Sequence, residues 1–106
     1  MGKVVKMPNP KTRRRSLDEW AVIAHEVSKK SENVYWDSPH VQLRMRERKV
    51  TIRQIFDVLR HGKGIDGPTL DRYGDWRIKL KRFSAGRVVQ VVVVIQESRL
   101  EIVTVI

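Results

Sequence analysis

Leu17, Trp20, Ala21, Ile23, Ala24 and Val27 recur at intervals of three and four residues, the spacing that places side chains on one face of a helix. Ser16 stands ahead of this run with Glu19 three places on, a pair able to satisfy each other's open backbone groups at a helix start. The pattern predicts a first helix running from Leu17 to Lys29 and Lys30. A polar break at Ser31 to Asn33 and a short apolar patch at Val34 to Trp36 follow. Ser38 and Pro39 then supply an N-cap and a favourable first residue for a second, short helix. Thr51 and Gln54 repeat the capping box ahead of Ile52, Ile55, Phe56 and Leu59. This third helix is expected to end near Gly62, read as a left-handed cap.

Gly64, Gly67 and Pro68 mark a loop, and beyond them the hydrophobic period changes from 3.6 to 2. Leu70 to Tyr73 reads as a short strand. In Trp76 to Phe83, Trp76, Ile78 and Leu80 alternate with Arg77, Lys79 and Lys81, a half-buried strand. Val88 to Ile95 is a nearly continuous β-branched run, as expected of a strand covered on both faces, and Leu100 to Ile106 is the last. The predicted fold is α+β, with N-terminal helices packed on one face of a C-terminal four-stranded antiparallel β-sheet. Double coverage of Val88 to Ile95 conflicts with an open second face unless a tail, a loop or a second copy of the chain lies over it. A homodimer is therefore one expectation.

Composition narrows this picture. The 106 residues suit one domain. The absence of cysteine excludes disulfides, thiolate metal sites and thiol nucleophiles. No apolar stretch approaches the roughly 18 residues of a membrane span and no secretory signal is visible, so no membrane contact and a cytoplasmic location are expected. Lys and Arg outnumber Asp and Glu by 22 to 12, a formal charge of +10. Lys3, Lys6, Lys11, Arg13, Arg14 and Arg15 account for six of those charges, in a segment (1–15) read as a basic flexible arm. The single domain, 16–106, keeps a smaller excess that still favours a polyanion such as nucleic acid.

Spacing of four puts His40, Arg44 and, more loosely, Arg48 on one helical face, with Glu47 beside them. An imidazole among guanidinium groups can cleave RNA without metal: a base takes the 2′-hydroxyl proton and cations steady the charged phosphorane. The required 2′-hydroxyl favours RNA over DNA. Arg77, Lys79 and Lys81, extended by Arg82 and Arg87 across the hairpin, form a second cationic row for a phosphate backbone. Tyr73 and Phe83 are candidates to stack on bases. Asp66, Asp71 and Asp75 fit turns better than a metal loop, and His25 and His61 read as structural. No metal and no cofactor are expected.

His40, Arg44-Met45, Glu47-Arg48, Val50-Thr51, Ile55, Leu59 and Gly62, then Tyr73-Gly74, Trp76-Arg77, Gly86-Arg87, Val92 to Ile95 and Thr104-Val105-Ile106, together resemble a family of small bacterial domains of unknown function. Its members are similar to toxin-like ribonucleases of the barnase, colicin, RelE and ParE type. The resemblance covers residues 38–106. It implies helices against a four-stranded antiparallel sheet and metal-independent RNA cleavage, with His40 as acid or base, Arg44 and Arg48 as phosphate-binding groups and Thr104 as a polar group at the sheet end of the site. It also implies an acidic, antitoxin-like partner protein. Ile106 stands where such proteins often carry an aromatic, and the helix from Leu17 has no counterpart in the pattern. Three classes of function stay open: a ribonuclease, a non-catalytic RNA- or DNA-binding sheet, and a module that meets an acidic protein.

Overall fold

Local capping chemistry decides where the helices begin. In the computed structural model, which describes residues 15–106, helix α1 spans Leu17–Val27. The Ser16 hydroxyl accepts from the Glu19 amide at 3.1 Å, and the Glu19 carboxylate accepts from the Ser16 amide at 2.8 Å. The predicted arm lies outside the described residues except for Arg15, whose guanidinium rests 4.9 Å over the Trp20 ring. Helix α2 spans Pro39–Arg48 under the Ser38 N-cap, and α3 spans Ile52–His61 under the Thr51 and Gln54 capping box. Gly62 departs from expectation. Its φ of −71° is not left-handed, and the position excludes a side chain because a Cβ would collide with the Val58 carbonyl oxygen.

Five strands, one more than predicted, form a mixed sheet in the order β1-β5-β4-β3-β2. The extra strand is β1, Val34–Tyr35, which runs parallel to β5, Arg99–Val105. Two residues are too few to carry an alternation, which is why the sequence shows only an apolar patch there. The other three are β2, Lys63–Leu70, β3, Trp76–Ser84, and β4, Arg87–Gln96. The predicted loop at Gly64 to Pro68 is thus strand, and the predicted strand at Leu70 to Tyr73 is the turn after it. Glycine and proline are tolerated because β2 is the sheet edge and its pairing with β3 shifts register twice. At Gly67, φ is +103° and a Cβ would stand 2.7 Å from the Arg77 carbonyl oxygen, so glycine is required.

The helices cover one face of the sheet. Ile55, Val58 and Leu59 from α3, with Trp20, Ala21 and Ala24 from α1, pack on Ile78, Leu80, Val89, Val91, Val93 and Ile95. Trp20 and Trp76 meet with ring centroids 6.1 Å apart. The opposite face is open, and β4 alternates across the two. Val88 is half exposed and Val92 partly so, while Val89, Val91 and Val93 are buried. The expectation that the whole run is covered on both sides therefore fails for β4, with Val94 the exception at 4% exposure. No helix among the described residues is long and apolar enough to cross a membrane.

Candidate functional site

The pairing of β4 with β5 contains one irregularity, and it decides where Thr104 points. Val93 faces Ile102 while Val92 faces Thr104, so Val103 is an extra residue bulged out of β5. Strict alternation from Ile102, a core residue, would turn Thr104 toward the helices. The bulge reverses the parity beyond it: Val105 becomes the fully buried residue and Thr104 joins Val92 on the open side. Bulges of this kind commonly re-aim side chains beside functional sites.

Helix α2 packs along this end of β5 and is tied to it by two side chains. His40 Nε2 lies 3.1 Å from the Thr104 hydroxyl oxygen. Arg44 donates from Nε to the Val105 carbonyl oxygen at 3.2 Å and pairs through a terminal nitrogen with Glu47, also at 3.2 Å. Arg44 is therefore partly committed to holding helix and strand together, with its remaining N–H groups still able to meet an anion. Arg48 is exposed at the far end of α2, eight residues or about 12 Å along the axis from His40. It does not share that contact.

Across the sheet the register aligns Thr104, Val92, Lys79 and Asp66 in one row. Two strand spacings put Thr104 and Lys79 about 10 Å apart at Cα. Arg77 and Lys81 flank Lys79 on the same open face, and Lys63 stands opposite Lys81. Lys63 escapes a reading of the sequence because it sits in a segment that looks like loop. Among the described residues none of these four cations has an ion-pair partner. Phe83, 68% exposed, extends the face toward the β3–β4 hairpin beside its cross-strand partner Val88. Tyr73 is 70% exposed in the turn between β2 and β3 under the Arg72 guanidinium.

Arg82 and Arg87 belong elsewhere. Arg82 has the parity of Ile78 and Leu80, faces the helices and donates to the Asp57 carboxylate at 2.9 Å. Arg87 pairs with Ser84 in register and donates to the Lys49 carbonyl oxygen at 3.3 Å. Asp57 is held below its ordinary value, first by the Ser84 hydroxyl, against the rise that burial causes, and further by the charge and hydrogen bond of the Arg82 guanidinium. A cavity of about 640 Å³ lies on this helix side along α3, and none of the predicted site residues lines it. His25 Nε2 contacts the Gly62 carbonyl oxygen at 2.7 Å, joining α1 to the end of α3. The Asp71 carboxylate accepts from the Tyr73 and Asp75 amides, closing a turn.

Residues 38–106 match a family model described as a domain of unknown function, DUF4258. The chain belongs to this family. Comparison with curated proteins and with solved structures returned no match for the chain. The DUF4258 region begins at Ser38, the N-cap of α2, and so contains His40, Thr104 and the whole cationic row while leaving α1 and β1 outside. In this chain α1 completes the core over β2: a Cβ on Gly64 would stand 2.7 Å from Leu17 Cγ.

Proposed function

We propose that the open face of the sheet binds single-stranded RNA and that His40 transfers the proton in a metal-independent cleavage of its backbone, as in RelE-type ribonucleases. The observation that carries this reading is the contact of His40 with Thr104 at the end of a cross-strand row that continues to Lys79. A base held by a third group is the recurring arrangement for moving a proton on demand. With Nε2 engaged by Thr104, Nδ1 is the nitrogen left to accept the 2′-hydroxyl proton. The 2′-oxygen attacks the adjacent phosphorus, the 5′-oxygen leaves and takes a proton from water, and Lys79 with the free N–H groups of Arg44 offsets the charge of the phosphorane. The nucleophile belongs to the substrate, so the chemistry needs no metal and requires ribose.

Purified protein incubated with RNA in EDTA is expected to cleave it, and His40→Ala to lower the rate by about 10²-fold or more while binding persists. No cleavage by either protein overturns the enzymatic reading. One observation favours a second reading, a non-catalytic RNA-binding sheet: Arg44 and Glu47 satisfy each other, which leaves His40 without a second acid–base group in contact. Under that reading RNA still binds with strong salt dependence. The same free cations also suit an acidic, antitoxin-like partner protein, which would compete with RNA for the face.

A further inference from the structure

Beside the His40 contact lies a second hollow, of about 310 Å³, lined by Tyr35, Trp36, Asp37, Ser38, Arg99 and Glu101. We infer that it binds one unstacked guanine base of a single-stranded RNA, an inference that rests on the RNA reading above. Its size is at the lower end for small-ligand pockets, enough for one base and little more.

Its walls supply the two elements of base recognition. Arg99 holds its guanidinium 4.1 Å over the Tyr35 ring, and that ring is 52% exposed. Flat groups of this kind stack on single-stranded bases. The polar edge comes from Asp37 and Glu101, whose carboxylates have no hydrogen-bond or ion-pair partner among the described residues. Carboxylates only accept, so this edge selects a ligand edge made of donors. Guanine alone among the four bases places two donors side by side, N1–H and the N2 amino group, matching the two oxygens of one carboxylate. Adenine and cytosine set a single amino group beside a ring acceptor. Uracil sets a single N–H between two carbonyls.

Register identifies Glu101 as the reading group. Tyr35, Glu101, Val94 and Arg77 form a row on the open face, offset from the row of Thr104 and Lys79. Ser38 and Ile102, which also line the hollow, each stand two residues before the members of the His40 and Thr104 pair. A base in the hollow therefore leaves its phosphate beside the His40 and Thr104 contact, at the end of the row that continues to Lys79.

The test uses four pentamer RNAs with uridine flanks and a central G, A, C or U. All carry 2′-O-methyl groups so that none is cleaved, and binding is read by fluorescence anisotropy. The protein should prefer the G pentamer by about fivefold or more, the range of a good bidentate pair. Glu101→Gln should bring that preference within about twofold, the G pentamer being compared in each protein with the all-U pentamer so that the general effect of the lost charge cancels. Lys79→Ala should weaken all four alike. Equal affinity for the four overturns the guanine pocket and leaves the RNA reading standing, whereas no binding to any overturns both. A G preference that survives Glu101→Gln overturns the pocket.

Discussion

Lys81 and Arg82 are neighbours in β3 with the same charge, yet they meet opposite surroundings. Arg82 turns toward the helices and is fixed on Asp57 at 2.9 Å. Lys81 turns outward beside Lys79, Arg77 and Lys63, where no described ion pair uses its charge. The same contrast divides the strand cations of the two faces. On the helix side the charges of Arg82 and Arg87 are engaged by structure, through the Asp57 carboxylate and the Lys49 carbonyl. On the open side they are left unpaired, which costs stability through mutual repulsion and is offset only when an anion arrives. It is therefore a cluster of charges without internal partners, rather than charge alone, that supports the proposed binding surface.

The sharpest way to break this division is to damage one side and measure both properties. Leu59 is fully buried beneath α3, so Leu59→Ala should cost about 2–5 kcal/mol of stability through lost burial and the cavity left behind. Urea unfolding reads the loss as a lower midpoint. The fraction that remains folded should bind RNA with the wild-type salt slope. A changed slope in that fraction would mean that the faces are energetically coupled.

Exchanging sides gives the complementary, smaller effect. Lys79→Ala should weaken RNA binding several-fold across sequences and reduce the slope of log affinity against log salt by about 0.7 per lost phosphate contact on a single strand. Arg82→Ala should leave that slope unchanged, because its charge is spent on Asp57. Equal losses from the two substitutions would show that the protein's overall charge, rather than the open face, attracts RNA.

These faces were only partly legible in the sequence. The capping boxes at Ser16 and Thr51 were readable because capping is local, and the alternation of β3 was readable because period 2 is local too. Charge groups Arg82 with Arg77, whereas period 2 gives it the parity of Ile78 and Leu80 and so the helix side. β2 was hidden because glycine and proline mark both loops and irregular edge strands. The bulge at Val103 left no mark at all, since an extra residue is defined by its pairing with Val92 and Val93 in another strand. The contact between His40 and Thr104 spans 64 residues of chain and depends on that bulge. Family resemblance named both residues, but only the register explains why they meet.

The smallest expected effect tests the helix side by pH. The Ser84 hydroxyl, then Arg82 and, more weakly, His61 hold the Asp57 carboxyl below its ordinary value, so the folded state prefers the ionised form. The resulting stabilisation is fully present above the unfolded carboxyl value of about 3.9 and disappears as pH falls through the lower folded value. Both partners are partly exposed, at 41% for Arg82 and 31% for Asp57, so the pair is worth under about 1 kcal/mol. Asp57→Asn should therefore melt slightly below the wild type at pH 6 and converge with it as pH drops toward about 3. A gap that stays constant over that range would mean that the asparagine disturbs packing rather than charge. Because Asp57 lies on α3, on the opposite side of the sheet from the open face, RNA affinity should be the same in both proteins at every pH where they are folded. A change there would place the Asp57 and Arg82 pair in communication with the open face and remove the distinction between spent and available charge.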